Sequence, residues 1–275
     1  MSRLGALSLA GGVMLVSACG GGASAPTTLA VEATGSGKES KVKAPGSIEG
    51  GLVEFEFKNS TKQPQDAQLI RTEGNHSVGE VLKIVGGQEG GPIPDWLQDG
   101  GGVGETPPGK THSATQNLAA GKYYLVASSE EGKPATAAIE VKGGSEGELP
   151  KTSASITARE YTFETSGLKS GRNEVLFRNA GQQLHHVVGL PLLPGKTLDE
   201  VKKFVGETGQ GGRPSGPPPF DEKGGFSTTV LDGGVEQVTD LDLKPGRYAL
   251  ICFIQDRTGG PPHVMKGMVT EVDVK

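Results

Sequence analysis

The sequence predicts an all-β protein: two tandem Greek-key β-sandwiches, each with one short helix, behind an N-terminal leader and a flexible tether. Three observations predict it. The chain matches itself once at an offset above 100 residues, which marks a duplicated domain rather than a solenoid. Short β-branched runs are separated by turn formers, among 45 Gly and 18 Pro in 275 residues. A helical period of apolar residues occurs once in each copy.

Residues 1–18 read as a signal peptide. Arg3 precedes an uncharged, mostly apolar run from Leu4 to Val16, short for a bilayer span, and small Ser17 and Ala18 follow. The tetrad Val16-Ser17-Ala18-Cys19 resembles the lipobox of bacterial lipoproteins. That resemblance implies acylation of Cys19 and cleavage before it; an ordinary signal peptide ending in a chance Cys is the alternative. Residues 19–27 then form a flexible tether, and the body is expected at an extracytoplasmic membrane face, periplasmic or outer, anchored by lipid. With Cys19 acylated, Cys252 has no disulfide partner in an oxidising compartment. Such a thiol is either buried and inert or bound to something.

The two copies span 28–143 and 150–275, joined by a polar, Gly-rich linker at 144–149. "GLVEFEFKNSTKQPQDAQLI" (51–70) aligns with "GRNEVLFRNAGQQLHHVVGL" (171–190) without gaps, and "AAGKYYLVA" (119–127) with "KPGRYALIC" (244–252) at an offset of 125. Each copy opens with a strand, followed by one with clear alternation ("VEFEFKN", "NEVLFRN") and a third apolar run. The helix comes next, with Val78, Val81, Leu82 and Val85 on its apolar face in copy one and Leu198, Val201, Phe204 and Val205 in copy two. Thr197 and Glu200 form a capping box for the second helix. A Gly/Pro-rich loop then leads into "GKYYLVA" or "GRYALIC", and a last strand closes the copy.

A net charge of −5 gives no footprint for nucleic acid. No Gly-rich phosphate loop follows a strand and no G-x-S-x-G elbow appears, so no enzyme is expected. One stretch stands out. "CFIQDRTGGPPHVMKGM" (252–268) gathers Cys252, His263, Met265 and Met268, while "NAGQQLHHVV" offers His185 and His186. Thiolate, imidazole and thioether are the donors that suit copper. Cys252 within "LICFI" also fits a buried strand residue, and Met268 a core residue. His76 and His112 read as surface residues in polar loops, and Trp96 as core packing.

On these residues copy two resembles the cupredoxins, the plastocyanin-like blue-copper β-sandwiches. In that family one His follows a strand ending near an Asn, and Cys, His and Met sit on the last loop after a Tyr-containing strand. The four residues between His263 and Met268 match the pattern. The resemblance implies one copper per chain, in copy two, with His185, Cys252 and His263 in the plane and Met268 on the axis. His186 and Met265 are the alternates. His185 and His186 are adjacent, so only one can face a metal from a strand. Copy one has Gln65, Asp66, Ala127 and Ala135 at the corresponding places, which implies a sandwich without copper ligands. Ten residues separate Cys252 from His263 where the plastocyanin pattern has two, so the loop either returns His263 to the metal or leaves it at the surface. Multicopper oxidases need several His-x-His pairs, and this chain has five His and no such pair. Electron transfer with a protein redox partner is the implied function. The other reading is a metal-free or copper-storing lipoprotein that binds another protein.

Overall fold

The computed structural model describes residues 25–36, 39–86, 91–129, 132–209 and 214–275. The signal peptide, Cys19 and most of the tether lie outside them. Among the described residues no helix is long and apolar enough to cross a membrane.

The first half contains β1 (Thr27–Ser36), β2 (Glu39–Lys43), β3 (Ser47–Glu49), β4 (Gly51–Asn59), β5 (Gln65–Thr72), helix α1 (Val78–Val85), β6 (Leu97–Thr106), β7 (Thr111–Leu118), β8 (Gly121–Ser128) and β9 (Ala135–Lys142). The second contains β10 (Ala154–Arg159), β11 (Thr162–Ser166), β12 (Gly171–Asn179), β13 (Val188–Pro191), α2 (Leu198–Gly209), β14 (Phe226–Ser227), β15 (Glu236–Leu243), β16 (Gly246–Ile251), a 3-10 turn (His263–Lys266) and β17 (Val269–Val274). Alternation does what the pleat requires: on β4, Val53, Phe55 and Phe57 are buried, while Glu54 and Glu56 face outward. Among the described residues four apolar clusters form, two of them the sandwich interiors. One holds Leu29, Phe55, Phe57, Leu69, Leu125 and Ile139, the other Ile156, Val175, Phe177, Tyr248 and Leu250. Both helices start at capping boxes, Ser77 with Glu80 and Thr197 with Glu200. In each copy a buried tyrosine hydroxyl donates to the carbonyl four residues back, Tyr123 to Ala119 and Tyr248 to Lys244, again at the 125-residue offset.

The sandwiches are not separate. β2, β1, β4 and β7 of the first half continue into β15, β12, β10 and β11 of the second as one eight-stranded sheet. The remaining strands form two further sheets, ordered β3-β9-β8-β5-β6 and β14-β13-β16-β17. The join is the antiparallel pairing of β7 with β15, in which Ala114 faces Thr239. These two residues are 125 apart, so each is the other's counterpart in the duplication. A pseudo-twofold axis therefore passes through that pair.

This join corrects the sequence reading of the loop before "GKYYLVA". The Gly-rich segment 97–106 is strand β6, paired with β5 through two register irregularities. Segment 111–118 is strand β7, and its polar residues looked loop-like because they are covered by the other copy. Gln116 is 1% exposed at the join, and His112 is a nearly buried strand residue with Nε2 3.4 Å from Asp242 Oδ2 of the second half. His76 stacks on Trp96, with ring centroids 3.7 Å apart. Side chains lock the seam. Gln68 and Val230 exchange hydrogen bonds of 3.0 and 2.7 Å, and Gly102 N–H donates to Gln237 Oε1 at 3.0 Å.

Gly101 sits where nothing larger fits. Its φ is +78°, and a Cβ there would lie 2.3 Å from Gln116 Oε1 and 2.4 Å from Gln237 Oε1. Gly101→Ala is expected to lower stability by about 1–3 kcal/mol, seen as a lower urea midpoint at unchanged slope.

Candidate metal centre

A side-chain turn, backbone bonds and helix packing bring three distant residues together. At the end of β12, Asn179 folds the chain back: its Nδ2 donates to Gln183 O and Leu231 O at 2.7 and 2.9 Å, and its Oδ1 accepts from Gly181 N–H. His185 is then pinned by reciprocal backbone bonds with Leu231, 3.0 and 2.9 Å long. Cys252 follows the end of β16, in a run whose Ala249, Leu250 and Ile251 are fully buried. After the ten-residue excursion, His263 N–H donates to Ile254 O at 2.8 Å, and Val264 N–H donates to Cys252 O at 2.9 Å. Helix α2 packs Val201 and Val205 against Val264 beneath this turn, which Gly267 ends with a left-handed φ of 97°.

The excursion thus returns His263 to Cys252. Cys252 Sγ lies 3.5 Å from His263 Nδ1 and 3.8 Å from His185 Nδ1, and the two Nδ1 atoms are 3.1 Å apart. All three residues are 0% exposed. The circle through those three atoms has a radius of about 2.0 Å, within the reach of metal–nitrogen and metal–sulfur bonds, about 2.0–2.3 Å. Among the described residues no other grouping of three or more His, Cys, Asp or Glu offers ligand atoms this close. The donor set fits a metal cation that accepts both thiolate and imidazole.

The other candidates are placed as follows. Met268 is fully buried in the same apolar cluster as Cys252, and its N–H donates to His263 O at 3.0 Å. Met265 packs in the cluster beneath α2 instead. His186 turns away, its Nε2 accepting the Phe253 N–H at 3.0 Å. In the first sandwich Asn59 makes the same turn as Asn179, donating to Gln63 O and Thr106 O at 2.8 and 2.7 Å. The position after that turn holds buried Gln65, and Ala127 and Ala135 provide no donor.

Neighbouring carboxylates lie behind both imidazoles. Asp256 Oδ1 is 3.0 Å from His263 Nε2; Asp256 also accepts from Tyr161 OH at 3.0 Å and from Lys266 Nζ. Against its burial, Lys266, Tyr161 and His263 hold the Asp256 carboxyl below the usual range. Glu160 Oε1 lies 3.7 Å from His185 Nε2, beyond hydrogen-bond length, and that nitrogen has no hydrogen-bond partner. An acid behind each Nε2 favours the tautomer with Nδ1 unprotonated and facing the sulfur. The sequence reading missed Glu160, Tyr161, Asp256 and Lys266. Only Asp256 and Lys266 lie within the loop that had drawn notice, and nothing in their type or spacing set them apart.

Burial sets the charge of the site. It pushes the Cys252 thiol up to about 11. Burial first, and His263 second, push His185 down to about 4. His263 is lowered by burial as well, against the pull of Asp256. These shifts all favour the uncharged forms, with the sulfur keeping its proton at neutral pH.

No family model matches the sequence, and no curated protein matches it. Solved structures to which the chain is similar include auracyanin from the photosynthetic bacterium Roseiflexus castenholzii, 20% identical, covering 44% of this chain and 94% of that one at a TM-score of 0.28. Auracyanin B is 19% identical, covering 46% and 91% at a TM-score of 0.28. Copper nitrite reductase from Nitrosomonas europaea is 15% identical, covering 90% and 93% at a TM-score of 0.23. At scores this low the chemistry is read from the site itself.

Because metal must displace the thiol proton while the imidazoles are already neutral, apparent affinity rises with pH. Between pH 6 and pH 8 it is expected to increase about tenfold per pH unit, in a Co(II) titration followed by its thiolate absorption. A pH-independent affinity would remove Cys252 from the ligand set.

Proposed function

We propose that the chain binds one copper in its second sandwich and carries single electrons through it, with His185, Cys252 and His263 in the plane of a type 1 centre and Met268 as the axial donor. The observation that carries this reading is the circle of three buried donor atoms, about 2.0 Å in radius, with a buried thioether residue in the same cluster. Copper, when bound, supplies a one-electron couple, and a trigonal His₂Cys plane with a weak thioether is the arrangement that serves electron transfer. The protein's part is to hold the donors and keep water out. Donors held by backbone hydrogen bonds on either side would move little when the charge on a metal changes.

The same proposal covers the organisation of the chain. Residues 1–18 are a signal peptide, Cys19 carries lipid, residues 19–27 are a tether, and the duplicated domains occupy 28–143 and 150–275, at an extracytoplasmic membrane face. A protein redox partner would approach at Phe253. That side chain follows Cys252 directly and is one of three large apolar side chains exposed among the described residues, at 40%. It also lines a cavity of about 450 Å³ between the two halves, together with Leu184 and Pro262, the neighbours of His185 and His263.

Titration of the full chain with Cu(II) in detergent is expected to produce an intense blue or green thiolate-to-copper band that saturates at one copper per chain. Cys252→Ser abolishes that band. No band, together with a thiol still open to alkylation, would favour the metal-free protein-binding reading.

A further inference from the structure

The ten residues between Cys252 and His263 reach across to the first sandwich. Gln255 Nε2 donates to Gly91 O at 2.6 Å, and Ile93 N–H donates to Arg257 O at 2.7 Å. Arg257 makes the most contacts. Its Nη1 donates to Pro94 O and Leu97 O at 3.2 and 3.1 Å, and its Nη2 donates to Leu97 O at 3.1 Å and Asp232 Oδ2 at 2.5 Å. Its backbone N–H donates to Gln183 Oε1 at 2.8 Å, two residues before His185. One residue therefore joins the first sandwich, the segment entering His185 and the loop entering His263.

A planar guanidinium suits this task because its donors leave in fixed directions and meet several acceptors at once. The Arg257–Asp232 pair is mostly buried, at 18% and 20% side-chain exposure. Arg247 with Glu271 is a contrasting pair on the open face of β16, at 44% and 34%. Asp256 precedes Arg257, so fixing both the N–H and the carbonyl of residue 257 fixes where the Asp256 carboxylate stands. That carboxylate is 3.0 Å from His263 Nε2.

We propose that Arg257 is a positioning residue for the metal centre, and that the first sandwich, which brings no donor of its own, is the support on which it acts. The inference rests on the copper reading above. The first sandwich presents the carbonyls of Pro94 and Leu97; Arg257 grips them; Asp256 is thereby held against His263 and sets the orientation of that imidazole. A long Cys–His spacer then gains rigidity from outside itself.

The test uses the full chain with Arg257→Met, Arg257→Lys and, as control, Arg247→Met. Arg257→Met is expected to keep its far-UV circular dichroism and bind one copper, with affinity lowered roughly 10–100-fold. Its thiolate-to-copper band, measured per bound copper, shifts in position and intensity. Arg257→Lys keeps the charge without the fork and falls between. Arg247→Met matches wild type in both measures. Wild-type affinity and an unchanged band in Arg257→Met overturn this inference alone. If Arg257→Met does not fold, Arg257→Lys is read by the same two measures, and wild-type values there overturn it equally. A wild-type chain that never develops the band overturns the copper reading, and this inference with it.

Discussion

The second sandwich depends on keeping a thiol and two imidazoles in contact, fully buried, without charge. A bare thiolate or imidazolium removed from water is costly, and burial responds by pushing Cys252 up to about 11 and His185 down to about 4. The three donors are tolerated in the core only as neutral groups. A cation that takes the thiol proton's place restores balance, because thiolate and metal then compensate each other without water.

Meeting that constraint takes backbone bonds, one side-chain turn and apolar packing, none of them made by the donor atoms. The Asn179 turn, the Leu231 bridge, the bonds between the Cys252 and His263 segments, and the packing of α2 beneath the 3-10 turn each remove freedom before any donor is considered. The first sandwich shows that this geometry is separable from its chemistry. It makes the same turn with Asn59 and the same tyrosine bond with Tyr123, yet it holds Gln65, Ala127 and Ala135. Duplication carried over the frame, while donors are present in one copy.

The two copies meet through counterpart strands, so the polar residues of β7 and β15 are buried without an apolar core of their own. Gln237 answers Gly102, and Asp240 accepts from Ser113 at 3.1 and 3.0 Å and from Arg172 at 3.2 and 2.8 Å. Gly102 with Gln237 and Ser113 with Asp240 pair across the seam, Arg172 closes on Asp240 from its own half, and buried Gln116 keeps no hydrogen-bond partner for either amide atom. Continuous pairing also removes an exposed edge from each sandwich, where unpaired strands invite association.

The sequence by itself determined the strand-rich class, the duplication, both helices and the residues available as donors. These follow from local pattern: alternation, a helical period, a capping box, and a thiol near an imidazole and a thioether. It also limited the pair His185 and His186 to one inward-facing member, and the fold decided which, because His186 Nε2 accepts from the Phe253 N–H instead. Tertiary structure alone decided the rest. Residues 97–118 read as loop because Gly-rich and polar strands lack alternation, and their partners lie in other strands and in the other copy. The return of His263 across ten residues, and the carboxylates of Asp256 and Glu160 behind the two imidazoles, depend on contacts among segments up to 164 residues apart. Spacing along a chain limits how far apart two groups can be, but only the packed fold decides how close they come.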